Sequence, residues 1–269
     1  MSRTNTILDE LAEHAMARTE AAKCEIPLQD MKMMALNMPK GNFEFGKALS
    51  KEGLSFILEC KKASPSKGLI APDFPYRQIA KEYETAGADA ISVLTEPREF
   101  LGSDKYLAEI AATVQLPCLR KDFTVDEYMI YEARILGASA VLLICSLLEA
   151  GQIKEYLALC DKLGISALVE AHDDEEVQMA LRAGARIIGV NNRNLKDFSV
   201  DINNSARLRE LVPQDAAFVA ESGIREAADV KAAVNMGASA VLIGEALMRA
   251  EDKGAKLAEF YAAAGRRRE

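Results

Sequence analysis

Gly87-Ala-Asp-Ala-Ile-Ser-Val-Leu94 is the stretch on which the fold turns, because it returns three times. The later copies are Gly137-Ala-Ser-Ala-Val-Leu-Leu-Ile144, Gly184-Ala-Arg-Ile-Ile-Gly-Val190 and Gly237-Ala-Ser-Ala-Val-Leu-Ile-Gly244. In each, an amphipathic helical pattern ends at a glycine suited to a left-handed C-cap, and a short β-branched apolar run follows at once. The intervals of 50, 47 and 53 residues leave room for one further strand and helix in every period. Apolar runs at Phe56-Ile-Leu-Glu-Cys60, Pro117-Cys-Leu-Arg120, Ile165-Ser-Ala-Leu-Val169 and Ala217-Phe-Val-Ala220 fill those places. Helical patterns such as 127–136, 174–182 and 226–236 lie between them.

Near-continuous apolar strands separated by helices indicate a parallel sheet covered on both faces. Eight of them in about 210 residues predict an α/β fold, a closed (β/α)8 TIM barrel. No glycine-rich dinucleotide turn follows the first strand, which disfavours an open doubly wound sheet. Residues 1–50, with helical periodicity over 7–24 and 28–36, read as an N-terminal helical extension of one barrel domain spanning 1–269.

Composition narrows the function. The chain has 269 residues, 49% hydrophobic and 28% charged, with a formal net charge of −8. That balance carries no basic footprint for nucleic acid or an anionic membrane. The first 22 residues lack a signal-peptide core, and no run approaches a membrane span, so a cytoplasmic protein is expected. Five scattered cysteines without a C-x-x-C suit a reducing compartment, and two histidines are too few for a histidine-based metal site.

In such a barrel the chemistry sits at the carboxyl ends of the strands. Those ends read Glu59-Cys-Lys61, Arg120-Lys121-Asp122, Glu170-Ala-His172, Asn191-Asn-Arg193 and Glu221-Ser-Gly223. Strand alternation puts Ile57, Glu59 and Lys61 on one face and Phe56, Leu58 and Cys60 on the other. Charged groups are costly to bury against helices, so Glu59 and Lys61 belong in the barrel mouth and Cys60 in the helix layer. Any single strand-end charge is best read as a surface ion pair, but five such ends together predict a proton-transfer site without metal or organic cofactor. Ser222-Gly223 and Gly244-Glu245 stand where barrels bind phosphate through backbone N–H groups. Glu245 must then turn its side chain outward. Lys61-Lys-Ala-Ser-Pro-Ser-Lys-Gly68 reads as a mobile loop over the mouth, since it lacks the Walker pattern. Phe100, Phe123, Leu142 and Leu195 are candidates for an apolar wall; His172 could serve as an acid or base, but a surface-loop histidine is the favoured reading.

Residues 59–68 resemble the first-strand signature of indole-3-glycerol phosphate synthases. The likeness continues through Ser92-Val-Leu-Thr-Glu96, Leu119-Arg-Lys-Asp-Phe123, Leu168-Val-Glu170, Ile188-Gly-Val-Asn-Asn-Arg193, Ala220-Glu-Ser-Gly-Ile224 and Leu242-Ile-Gly-Glu-Ala246. It implies closure of a phosphorylated, anthranilate-derived ribulose to indole-3-glycerol phosphate, with loss of carbon dioxide and water, in tryptophan biosynthesis. It further implies Lys121 as general acid and Glu170 in proton transfer. Lys61 would hold the carboxylate and phosphate or share acid duty, and Glu59 and Asn191 would orient these groups. Glu221 and Ser222 would complete the polar wall, with Gly223, Gly244 and Glu245 at the phosphate. Ser64 and Arg193 are further substrate-binding candidates, and Phe100, Phe123, Leu142 and Leu195 would enclose the aromatic ring. The implied partner is a phosphorylated small molecule, and the chain is expected to be monofunctional and a monomer or weak homo-oligomer. The rival readings are a phosphoribosylanthranilate isomerase-like barrel, against which the outward parity of Cys60 argues, and a non-catalytic phosphate-binding scaffold.

Overall fold

The computed structural model describes residues 4, 6–194 and 197–266. Helices α1 (Ile7–Glu25), α2 (Leu28–Asn37) and α3 (Glu44–Leu49) precede the first strand. Strands β1 (Ser55–Cys60), β4 (Ala90–Leu94), β5 (Cys118–Lys121), β6 (Ala140–Ile144), β7 (Ser166–Ala171), β8 (Ile187–Asn191), β9 (Ala217–Glu221) and β10 (Ala240–Ile243) close in that order into one parallel barrel, β1 pairing with both β4 and β10. Two short strands, β2 (Ala63–Ser64) and β3 (Gly68–Leu69), form an antiparallel ribbon after β1. The expected mobile loop is thus a paired hairpin, further held by the N–H groups of Ile70 and Ala71, which donate to the Lys62 carbonyl.

The outer layer consists of α4 (Tyr76–Ala86), α5 (Asp104–Ala111), α6 (Glu127–Ile135), α7 (Ala150–Leu163), α8 (Asp174–Ala183), α9 (Asn203–Arg209), α10 (Ala227–Asn235), α11 (Glu245–Met248) and α12 (Lys253–Ala263). The sequence patterns place α6, α8 and α10 to within one residue. Ser103, Asp126, Asp173 and Asp252 cap α5, α6, α8 and α12 by accepting from first-turn N–H groups, satisfying donors that a helix leaves unpaired. All four repeat glycines have positive φ (97°, 88°, 96° and 76°), the left-handed geometry that lets each helix turn into its strand.

Strand alternation sorts the barrel as expected. Phe56 packs outward on Tyr261 of α12, with ring centroids 4.9 Å apart, and Cys60 lies buried outside the cavity. Arg120 is buried behind β5, where its guanidinium meets Asp104 and Glu132 at 2.7 Å each and donates to the Met129 carbonyl at 3.0 Å. With Arg120 anchored on the outside, its neighbour Lys121 points into the barrel.

The segment between α2 and α3 crosses the amino end of β7. Gly41 N–H donates to the Leu163 carbonyl and Phe43 N–H to that of Gly164, both at 3.0 Å. A Cβ built on Gly164 would lie 2.1 Å from the Gly41 oxygen, and Gly164 has φ +73°. The Gly164→Ala protein is expected to lose about 2 kcal/mol or more, combining left-handed strain with backbone overlap. Chemical denaturation against the parent measures this, and an unchanged midpoint would remove the crossing from the stabilising contacts.

Candidate active site

At the carboxyl ends of the strands a cavity of about 350 Å3 opens, within the size range of small-molecule pockets. It is lined by Glu59, Lys61, Ser64, Phe100, Lys121, Phe123, Leu142, Glu170, Asn191, Arg193, Glu221, Ser222, Gly223, Gly244 and Glu245. Every site residue expected from the sequence is therefore brought together except Leu195, which lies outside the described residues.

The polar half is a cage of charges. Lys121 Nζ lies 3.3 Å from Glu170 Oε2 and 3.7 Å from Glu221 Oε2, while Lys61 pairs with Glu59. The register sets these neighbours, pairing Asn191 of β8 with Glu221 of β9 and Ile144 of β6 with Glu170 of β7. Asn191 Nδ2 donates to Glu170 Oε1 at 3.2 Å, and Asn191 Oδ1 accepts the Arg193 N–H at 3.0 Å. Space for Glu221 exists only because its neighbour is glycine: a Cβ on Gly189 would stand 2.1 Å from Glu221 Oε1.

Burial opposes the charge of Lys121, but the carboxylates of Glu170, Glu221 and Glu59 more than offset it, so the ammonium is held well above the ordinary lysine range. Burial likewise opposes the Glu170 charge, yet Lys121, His172 and the Asn191 amide outweigh it and lower that carboxyl. Glu221 is the odd one out. Burial, with the Glu170 charge and that of Glu59 adding to it, pushes Glu221 up to about 8 against the pull of Lys121 and His172. Its Oε1 is buried with no hydrogen-bond partner, as suits a carboxyl that holds a proton near neutrality.

The other half is apolar. Phe100 and Phe123 pack with centroids 6.2 Å apart. Phe100 is placed by Glu96, a buried carboxylate that accepts the N–H groups of Arg98, Glu99 and Phe100 at 2.8, 2.7 and 3.0 Å. The roof was not foreseen: Ile7, Leu8 and Leu11 of α1 also line the cavity. Arg18 of the same helix holds Asp122 at 2.7 Å, directly after Lys121. The periodic Leu8, Leu11, Ala12 and Ala15 mark a buried face, but nothing in the sequence says it covers the mouth.

At the end of the cavity formed by the loops after β9 and β10, Ser222 (φ +65°) and Gly223 (φ +94°) form a left-handed turn. Gly244 approaches so closely that a Cβ would lie 2.4 Å from Glu59 Oε2 and 2.7 Å from Lys61 Nζ. The Glu245 carboxylate sits at the rim, 3.1 Å from Arg249 and 3.8 Å from Lys67 of the hairpin, and so is neutralised there. His172 corrects the sequence reading. Rather than sitting on a surface loop, the ring is largely buried, with Nε2 3.4 Å from Glu170 Oε1 and Nδ1 3.2 Å from Glu176 Oε2. Glu176 fixes it from the next helical turn by also accepting the His172 N–H at 2.8 Å. Among the described residues no group of three His, Cys, Asp or Glu is arranged to hold a metal ion, and no helix is long and apolar enough to cross a membrane.

Because Glu221 has its native pKa raised above the unfolded value, the folded state binds the extra proton, and stability falls as pH rises from about 4.5 through 8. Glu221→Gln removes this titration. The variant is expected to gain on the parent between pH 5 and pH 9 by on the order of 10 °C in Tm. A gap between the two proteins that does not change with pH would show that Glu221 stays ionised in the fold.

Comparison with known proteins identifies the family. The family model described as indole-3-glycerol phosphate synthase matches residues 8–260. The indole-3-glycerol phosphate synthase of Ruminiclostridium cellulolyticum is 58% identical over 259 residues, covering 96% of this chain and 100% of the relative. That of Endomicrobium trichonymphae is 53% identical, covering 94% and 99%. Among solved structures, a thiamine phosphate pyrophosphorylase from Pyrococcus furiosus superposes with a TM-score of 0.59 over 79% of this chain and 96% of that one, and at 17% identity it speaks for the fold alone. Both the length of the match and the identity of these relatives show that the chain belongs to the indole-3-glycerol phosphate synthase family.

Proposed function

We propose that this protein is a carboxy-lyase of tryptophan biosynthesis that closes 1-(2-carboxyphenylamino)-1-deoxyribulose 5-phosphate to indole-3-glycerol phosphate. The observation that carries the reading is a caged ammonium, Lys121, between two carboxylates on one side of a cavity whose other side is apolar. The aromatic ring of the substrate fits against Phe100, Phe123 and Leu142. Its phosphate fits the Ser222-Gly223 turn and the backbone at Gly244, with Lys61, Ser64 and Arg193 supplying polar contacts at the rim.

Ring closure turns the ribulose carbonyl into a hydroxyl, and Lys121 donates the proton that this oxygen needs. The carboxylate then leaves as carbon dioxide, its bonding electrons restoring the aromatic ring. Dehydration follows: a base takes a proton from the methylene beside nitrogen and an acid protonates the departing hydroxyl. Glu170, ionised and 3.3 Å from Lys121, suits the base. Glu221, which retains a proton near neutrality, keeps the three carboxylates from repelling one another and so holds the cage closed. Lys61, paired with Glu59, neutralises substrate anions without leaving an uncompensated buried charge. Per turnover one proton is consumed, because a carboxylate departs as neutral carbon dioxide and a hydroxyl as water.

An isomerase using a cysteine acid finds no support, since Cys60 lies in the helix layer and burial pushes its thiol well up. The chain has no Trp, so the emission of an indole product reads against a low background. Incubation with the carboxyphenylamino-deoxyribulose phosphate is expected to give indole emission, and its absence would reject the activity. Lys121→Met is expected to lower kcat at least ~100-fold, the scale of a positioned general acid, with the far-ultraviolet circular dichroism of the parent retained. Near-parental turnover would take Lys121 out of that role.

A further inference from the structure

We propose that His172 is the proton entry of this site, recharging Lys121 through Glu170 from a pocket beside the barrel mouth. The inference rests on the reaction proposed above, which needs one proton from solvent in every cycle while the substrate fills the cavity. Glu170 is buried and lines the catalytic cavity, whereas His172 lines not that cavity but an adjoining one of about 920 Å3, together with Ser146, Asp173, Glu176 and Asn204. The imidazole therefore stands between the side pocket and the buried Glu170 carboxylate.

Its contacts suit transfer. Nε2 lies 3.4 Å from Glu170 Oε1, out of hydrogen-bond alignment, and is buried with no hydrogen-bond partner. The opposite Glu170 oxygen lies 3.3 Å from Lys121 Nζ, so the groups form a continuous series from the side pocket to the acid. The side chain keeps 19% of its exposure, enough to meet solvent there. Charged groups face it from three elements: Glu170 on β7, Glu176 on α8 and Glu221 on β9, with the Ser146 hydroxyl 3.4 Å from Nδ1. Although burial works against its charge, the hydrogen bond to Glu176 and the nearby carboxylates raise the ring above the ordinary histidine range, which favours the imidazolium.

The step balances. Lys121 gives its proton to the substrate oxygen and becomes a neutral amine. Losing that positive neighbour raises the proton affinity of Glu170. The imidazolium passes its Nε2 proton to Glu170, and after the carboxyl turns, Glu170 passes it to Lys121. Neutral His172 then takes a proton from hydronium or a buffer acid in the side pocket. His172 touches no substrate and is a positioning and relay residue.

The test compares His172→Ala and His172→Gln with the parent, whose own turnover decides the reaction separately. Both variants are expected to lose kcat by at least about tenfold, below the range for a group acting directly on substrate, with KM within twofold. Added imidazole, which fits the side pocket, is expected to restore H172A saturably and to leave the filled H172Q unchanged. If H172A does not fold, H172Q decides alone. An H172Q kcat within twofold of the parent, or an H172A rate indifferent to imidazole, would overturn the proposal while leaving the parental activity standing.

Discussion

The organisation of this molecule depends on keeping an ammonium charged where water is scarce. Lys121 is tolerated because carboxylates arrive from β7 and β9, and they in turn are tolerated because they share it. With Glu59 and Lys61 the cage holds three carboxylates and two ammoniums, an imbalance of one. Glu221 absorbs that imbalance by keeping a proton, which explains why its second oxygen can be buried without a donor. An electrostatic arrangement of this sort is destabilising if taken apart group by group, so the cage stands or falls as a unit.

The fold supplies the proximity. Strand alternation turns Glu59, Lys121, Glu170 and Glu221 inward, and the parallel register sets them at neighbouring heights. Outward neighbours do the anchoring: Arg120 among Asp104, Glu132 and the Met129 carbonyl, and Asp122 on Arg18 and Thr95. Fixing residues 120 and 122 on the outside leaves the side chain between them little choice of direction. Gly189 contributes by omission, since any side chain there would displace Glu221.

The barrel was legible because its signals are local and repeated. A helix, a glycine and a buried apolar run recur four times, and strand parity separates Glu59 from Cys60 without further information. The charged strand ends were legible for the same reason, since a barrel leaves them one common place to go. His172 was not. Ala171-His172-Asp173 reads as a strand-to-helix turn, and the burial of the ring depends on Glu176 one helical turn later and Ser146 beyond a different strand. The pairing of β2 with β3 in the loop after β1 was not legible, because two-residue strands carry no periodicity. Helix α1 showed an apolar stripe, but which surface that stripe meets is a tertiary fact.

Helix α1 has one more implication. It ceilings the aromatic compartment through Ile7, Leu8 and Leu11, and through Arg18 it is bolted to the residue following the acid. Lid and proton donor thus belong to one mechanical part, although over a hundred positions separate them along the chain. Anyone grafting this chemistry onto a different eight-stranded scaffold must transplant the helix with the strand ends, because the catalytic charges alone would be left under open sky.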